Sequence, residues 1–103
     1  MKMKMLIIAK SPIEPFNSCI RDGSVDAKMK KIFEAIKPES AYFTEMEGLR
    51  TCVMVVDLAD PSKIPTLAEP WFMTFNSNVE FHPVMSPEDL AKAGLEELGK
   101  KWG

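Results

Sequence analysis

The amino-acid sequence predicts an α+β protein in which two β-α-β units build one four-stranded antiparallel sheet. Residues 50–89 supply the first observation, because buried strands alternate there with helices and nearly every joint carries a start or stop signal. The second is that the first half of the chain repeats this order. The third is size and composition: 103 residues, 46% hydrophobic and 27% charged, are typical of one ordinary globular domain. We therefore expect residues 1–103 to form a single domain.

The first half begins with a strand over residues 2–9, whose two faces both become apolar at its centre. Ser11, Pro12 and Glu14 follow with the spacing of a capping box, which predicts a helix starting there. A second helical run starts near residues 24–26 with apolar side chains at helical spacing. Pro38 ends it, because the residue before a proline avoids helical backbone angles.

Two strands follow, over residues 39–46 and 50–56, and the short connection between them predicts an antiparallel pair. Strand 50–56 is apolar on both faces, which is typical of a central strand. Asp60 and Pro61 then open a helix, in which Pro70 is expected to cause a kink or a division. Pro83 places the last strand, residues 79–85, at an edge or a bulge. Ser86 starts one terminal helix.

This order is the ferredoxin-like βαββαβ pattern with an extra C-terminal helix. Right-handed crossovers would put both main helices on the same face of the sheet. The first and third strands are nevertheless apolar on both faces, and an uncovered second face would expose a large apolar patch. The sequence therefore predicts a homodimer that pairs two sheet faces around a two-fold axis.

Composition argues against several classes of function. A net charge of −2 gives no basic surface for nucleic acid or acidic membranes. Cys19, Cys52 and the single histidine, His82, have no zinc-site spacing, and no phosphate-binding glycine loop is present, so no metal and no cofactor are expected. The apolar run near the N-terminus is shorter than the roughly 7–15 residues of a signal peptide, and none reaches the ~20 of a membrane span. We expect a cytoplasmic location and no membrane partner.

Two runs carry a family resemblance: L-A-E-P-W-F at residues 67–72 and V-M-S-P-E-D-L at residues 84–90. With these runs, the chain resembles short bacterial proteins of unknown function and, more broadly, the dimeric α+β barrel superfamily. That resemblance extends over nearly the whole chain. It implies a ferredoxin-like subunit that pairs with a second copy through its sheet to form a dimeric α/β barrel.

Five residues are candidates for a functional site. His82 is the only side chain that ordinarily titrates near neutral pH, so it is the candidate catalytic base, although a structural or surface histidine is the simpler interpretation. Asn17 and Arg21 share a helix face at i and i+4. With Trp71 they loosely resemble the polar set of cofactor-free monooxygenases in this superfamily, and we include Tyr42 with them as ligand-binding candidates. The structural alternative is a helix surface for Asn17 and Arg21, and a core or interface anchor for Trp71. Glu45 would need a partner if buried, and we expect a structural pair with Arg50 across the turn between the two strands.

Three functions remain open at this point. The first is a homodimer that binds a small hydrophobic ligand between its sheet and its helices. The second is a cofactor-independent isomerase or monooxygenase that acts on a small hydrophobic or aromatic substrate, with His82 as the base. The third is a non-catalytic module that binds a partner through its C-terminal helix. An enclosed pocket lined by His82, Asn17 or Arg21 would favour the enzyme, whereas a dry, filled interior would favour the third function.

Overall fold

A computed structural model describes residues 3–103, so the first residue of the predicted strand 2–9 lies outside the described residues. A short 3₁₀ turn precedes the third helix, and Asp60 caps this turn by accepting the amide N–H of Ser62 at 2.9 Å. The regular elements, in chain order, are β1 (Met3–Ser11), α1 (Ile13–Asp22), α2 (Val25–Ile36), β2 (Ser40–Met46), β3 (Leu49–Leu58), α3 (Ile64–Phe75), β4 (Asn78–Pro83), α4 (Pro87–Ala91) and α5 (Leu95–Trp102).

The four strands form one sheet in the order β2-β3-β1-β4, and every neighbouring pair is antiparallel. The predicted α+β class and the antiparallel four-stranded sheet are confirmed, and the topology is consistent with a ferredoxin-like fold. The apolar strands β1 and β3 are central. Pro83 lies on the edge strand β4, where its missing N–H does not interrupt a second ladder.

The core lies between one face of the sheet and the helices. Ile7 on β1 and Met54 on β3 are paired across the ladder and fully buried there, beneath Trp71 and Phe75 of α3. Alternation along the strands sends the intervening side chains to the other side. We call this side the helix-free face; its centre is formed by four partly exposed apolar side chains, Leu6, Ile8, Val53 and Val55.

The connection between β2 and β3 is a two-residue turn in which Glu47 and Gly48 have φ values of 57° and 76°. Positive φ at both central residues is the type I′ geometry, whose twist matches that of the flanking strands. At Gly48, with its φ of 76°, a residue that carries a Cβ would be strained. The turn therefore fixes the register of β2 against β3, in which Arg50 lies opposite Glu45.

Replacing Gly48 with alanine is expected to lower the free energy of unfolding by about 1 kcal/mol. A Cβ at this position would meet no atom within 4 Å, so the loss would come from the backbone conformation alone. Gly99→Ala is the control, because a Cβ on helix α5 also has open space but no positive φ. Urea denaturation followed by circular dichroism measures both. Equal stability of the two variants would contradict this account of the turn.

The predicted capping box at Ser11 is not formed. Ser11 is instead the last residue of β1, and its buried hydroxyl lies 2.8 Å from the hydroxyl of Ser77. Glu14 has extended backbone angles, and its carboxylate accepts hydrogen bonds from the amide and hydroxyl of Ser18 at 3.1 and 2.6 Å. The helical turns of α1 therefore start after Glu14, because pairing with β3 extends the strand through Ser11.

The division of the helix that Pro70 could cause is also absent, since α3 runs unbroken from Ile64 to Phe75. Proline removes the hydrogen bond that the carbonyl group of Thr66 would otherwise accept. Thr66 is exposed, so water can satisfy that carbonyl group. Burial of Trp71 and Phe75 on the inner side of the helix outweighs the lost bond.

The terminal helix is two helices, because Gly94 adopts φ 72° between α4 and α5. The predicted start is confirmed: Ser86 and Asp89 exchange two 3.0 Å hydrogen bonds in a capping box. We call residues 84–103 the C-terminal arm; all of its residues except Ser86 are exposed. The chain has a radius of gyration of 17.0 Å and a longest dimension of 59 Å, whereas a compact domain of this length has a radius near ~13 Å. The arm therefore extends away from the body.

Among residues 3–103, no helix combines the length and the apolar character needed to cross a membrane.

Candidate functional site

A cleft of about 300 Å³ opens between the start of α1, the end of β1 and the β2–β3 turn. We call it the Arg50 cleft; its walls are Ser11, Ile13, Asn17, Gly48, Leu49 and Arg50. Three of these residues contribute polar side chains that can donate hydrogen bonds, and Ile13 and Leu49 supply apolar surface. Its volume lies at the lower end of the range for small-molecule sites.

A small cavity of about 20 Å³ lies in the adjoining core and shares Ser11 and Arg50 with the cleft. We call it the Trp71 cavity, and its other walls are Phe16, Met29, Phe43, Thr51, Cys52 and Trp71. The cavity has room for one water-sized group. The two spaces thus lie on either side of Ser11 and Arg50, the cleft at the surface beside α1 and the cavity next to Trp71.

Aromatic packing holds the Trp71 ring. Its centroid lies 6.2 Å from that of Phe75 and 6.4 Å from that of Phe33, the latter in an edge-to-face arrangement. Phe75 in turn stacks on Phe16 at 4.5 Å. The Trp71 side chain is only 1% exposed, yet its Nε1 has no hydrogen-bond partner among residues 3–103. A buried donor without an acceptor costs about 1–3 kcal/mol, so an additional group at this site would be stabilised.

Arg50 borders both spaces, and its guanidinium carbon lies 4.8 Å above the centre of the Phe16 ring. This is a cation–π contact. Glu45, its neighbour across the ladder, instead accepts the amide N–H of Gly48 at 3.0 Å. Among residues 3–103, the side-chain ion pairs involve Arg21 but not Arg50. The Arg50 charge is therefore available to an anionic group.

The structure brings two of the five predicted site residues to these spaces. Asn17 lines the Arg50 cleft and Trp71 lines the Trp71 cavity. Arg21 is exposed and lies 3.3 Å from the carboxylate of Glu14, outside both walls. Tyr42 is 71% exposed and belongs to the helix-free face, because it is paired with Val53.

His82 also lies on the helix-free face, opposite Leu6 in the sheet register. Its Nε2 is 3.1 Å from a carboxylate oxygen of Glu80, whose other oxygen is 3.1 Å from the ammonium of Lys10. Hydrogen bonds from His82 and then from Lys10 lower the pKa of Glu80. His82 and the Arg50 cleft are therefore on opposite sides of the sheet.

The two cysteines are both buried. Desolvation raises the pKa of Cys52 to about 11, which keeps its thiol protonated and unreactive at neutral pH. Cys19 accepts a hydrogen bond from the Lys28 ammonium at 3.1 Å. Within the described part of the chain, no cluster of three or more histidine, cysteine or acidic residues could hold a metal ion.

A third concavity, of about 440 Å³, lies on the outer surface between α2 and α3. Its walls are mainly apolar and include Ile32, Ala35, Pro65, Pro70 and Met73. None of the five predicted site residues lines it. Its polar lining residues are Lys31, Thr66, Glu69 and Thr74. The Arg50 cleft and the Trp71 cavity together are the better candidate site, because they contain two of the predicted site residues and border the Arg50 guanidinium.

Ser11 and Arg50 are the site residues that sequence reasoning missed. They were interpreted as a helix cap and as the ion-pair partner of Glu45. Ser11 and Arg50 lie opposite each other in the register of β1 against β3. Correct alignment of those two strands would therefore have placed the two residues side by side.

A family model described as a domain of unknown function, DUF3303, matches residues 3–98. No curated protein matches the chain.

Proposed function

The chain belongs to the DUF3303 family, a domain of unknown function, and from its geometry we propose that it is a homodimeric small-molecule-binding protein whose ligand occupies the Arg50 cleft. One observation carries the proposal: the buried indole N–H of Trp71 has no acceptor among residues 3–103, and Trp71 lines a cavity that shares Ser11 and Arg50 with an open cleft. A ligand that enters the cleft can supply the missing acceptor.

The chemistry of the walls defines the ligand class. Arg50, Asn17 and Ser11 present a guanidinium, an amide and a hydroxyl group, and a guanidinium pairs best with a carboxylate. Ile13 supplies apolar surface, and the Phe16 ring lies beneath the guanidinium group. The walls therefore suit a small carboxylate with an apolar or aromatic body.

The test uses benzoate as a probe and its neutral isostere benzamide as the control ligand. At ten times its dissociation constant, benzoate is expected to stabilise the wild-type protein by about 1.4 kcal/mol and so to raise its melting temperature by about 6–11 °C. Arg50→Gln should abolish this shift, because the carboxylate loses its charged partner. Arg21→Gln is the matched control: Arg21 is the other arginine of the chain and lies outside the cleft.

Benzoate binding that is lost in Arg21→Gln but kept in Arg50→Gln would contradict the assignment of the cleft. Equal shifts with benzamide and benzoate would remove the carboxylate from the ligand class. Trp71 fluorescence in a Trp102→Phe background gives an independent readout of the same binding. Trp102 is 79% exposed, and its replacement leaves the buried indole as the single emitter among the tryptophans.

The homodimer part of the proposal is supported by the helix-free face. Its apolar centre lies between two charged groups of side chains. At one end, Lys4 lies 2.6 Å from Glu39 and 3.4 Å from Asp57. At the other, Lys10 bridges Glu47 and Glu80 at 2.8 and 3.1 Å. An apolar centre with a polar rim is the usual anatomy of a protein interface.

A cofactor-independent enzyme is the second candidate, favoured by the contact between His82 and Glu80. A carboxylate that holds an imidazole ring is a common arrangement for a general base. In a sheet-to-sheet dimer, His82 would face the second copy, so this site would be separate from the Arg50 cleft. A survey of small aromatic substrates would test it: His82→Ala should abolish any turnover found while leaving the benzoate shift intact. Turnover that is unchanged in His82→Ala would exclude this base.

A further inference from the structure

The C-terminal arm carries an unusual amount of exposed apolar surface. Six large apolar side chains on it are 39–79% exposed: Val84, Met85, Leu90, Leu95, Leu98 and Trp102. Soluble monomers rarely leave such a set uncovered, and larger exposed apolar patches mark interaction sites. The arm is also the part of the chain that extends the molecule to 59 Å.

The apolar side chains of α5 lie along one side of the helix. Leu95, Leu98 and Trp102 follow each other at i, i+3 and i+7, which places them on one face. The charged residues Glu96, Glu97, Lys100 and Lys101 occupy the remaining positions, with acidic groups in the first turn and basic groups in the last. This arrangement stabilises the helix by matching its dipole. The helix is thus well formed and carries an apolar face without a partner in its own body.

We propose that the C-terminal arm packs against a second copy of this chain and forms part of the homodimer interface. This inference rests on the homodimer of the proposed function and goes beyond it, because it adds a second contact region. The apolar face of the arm packs on the body of the other copy.

The area that a stable dimer needs supports this assignment. Four strands spaced ~4.8 Å apart and about seven residues long give the helix-free face an area of roughly 450 Å². A standard interface buries about 800 Å² on each partner. The six apolar side chains of the arm, each half-exposed, add roughly 300 Å². Together the arm and the face come to roughly 750 Å², which is within the roughly 600–1,000 Å² per partner of standard interfaces, whereas the face alone falls below that range.

The position of the arm also supports its assignment to the dimer interface. The arm leaves the edge strand β4 after Pro83, and its first amide N–H, from Val84, donates to the carbonyl oxygen of Lys4 at 3.1 Å. Lys4 is at the charged rim of the helix-free face. The root of the arm is thus continuous with the face that we propose to pair, and a second copy on that face would lie within its reach.

The first experiment compares two double variants by sedimentation equilibrium. Replacing Leu98 and Trp102 with serine is expected to raise the dimer dissociation constant at least ~100-fold, because two large apolar anchors are lost from each copy. Glu96→Gln with Lys100→Gln is the control: this ion pair, at 3.8 Å, lies on the opposite side of the same helix, and its loss should leave the dissociation constant within about threefold. Both variants keep the fold, since these positions are exposed.

The outcomes separate this proposal from the one on which it rests. A wild-type protein that is monomeric at high micromolar concentration overturns both. A wild-type dimer whose dissociation constant is unchanged in the Leu98 and Trp102 variant overturns the arm proposal alone. If the dissociation constant is unchanged but the melting temperature of this variant is lower, the arm packs on its own body. That outcome also overturns the arm proposal.

A second experiment locates the arm directly. Cys19 and Cys52 are buried, so a nitroxide label can be attached selectively to Lys101→Cys. Labelled protein without ¹⁵N is mixed with unlabelled ¹⁵N protein, and relaxation enhancement then reports only contacts between copies. We expect the amide signals of the four strands, β1, β2, β3 and β4, to be broadened in the ¹⁵N-labelled copy. Dimers that show no broadening between copies would overturn the proposal.

Discussion

Phe75→Ala is expected to lower the free energy of unfolding by about 3–5 kcal/mol, which is the usual cost of deleting a buried aromatic ring. The Phe75 side chain is fully buried, stacks on Phe16 at 4.5 Å and lies 6.2 Å from the Trp71 ring. Its removal would leave a void between α1, α3 and the sheet. Small domains are stable by only about 5–15 kcal/mol, so the variant should be close to unfolding at 37 °C. Urea denaturation at 25 °C measures the loss.

Phe72→Ala is the matched control, because it removes the same ring from the same helix. Phe72 is 41% exposed, and its loss should cost less than about 1 kcal/mol. Similar losses in the two variants would contradict the assignment of the inner face of α3. Phe75→Ala should also weaken benzoate binding, since Phe16 would lose the ring that holds it beneath the Arg50 guanidinium.

Local patterns in the sequence were sufficient to predict the main elements of the fold. Alternation identified the four strands, and the apolar character of both faces of β1 and β3 placed these strands at the centre of the sheet. Proline and glycine marked the turns, as in the β2–β3 connection with its positive φ values. Each of these signals acts over a few residues, which is why the sequence alone could carry them.

The errors arose where distant residues compete with a local signal. Ser11 has a helix-capping pattern, but pairing with β3 and a hydroxyl contact to Ser77 retain it in the strand. Pro70 is a helix breaker, but burial of the neighbouring Trp71 keeps α3 intact. In both cases, a tertiary interaction outweighs a local preference of about 1–3 kcal/mol.

The candidate site was harder to predict than the fold. Asn17 and Trp71 were chosen for their chemistry, and the structure shows that they line adjoining spaces. Arg50 connects these spaces, yet it was assigned to a local pair with Glu45, because the register of β1 against β3 was unknown. The side of the sheet on which His82 lies could have been predicted from alternation along β4. Val79 and Phe81 contact the core, so the intervening side chains and His82 point to the helix-free face.

Val53→Lys is expected to convert the proposed dimer into a monomer. Val53 lies at the centre of the helix-free face, paired with Ile8 on one side and Tyr42 on the other. A sheet-to-sheet dimer would bury two lysine side chains, one from each copy, close to the two-fold axis. An unpaired buried charge costs several kcal/mol, so the dissociation constant should rise at least ~1,000-fold. Sedimentation equilibrium at micromolar concentration measures the change.

The monomer should stay folded, because Val53 is only partly buried within one copy and a lysine side chain can extend to water there. Ala27→Lys, on the exposed side of α2, is the control and should leave the dimer intact. A Val53→Lys variant that dimerises as tightly as wild type would exclude the helix-free face as the interface. In that case, the C-terminal arm and the apolar groove between α2 and α3 would be the next surfaces to test for self-association. Comparison with the Leu98 and Trp102 variant then separates the face from the arm: loss of the dimer in both variants requires a single interface to which both regions contribute.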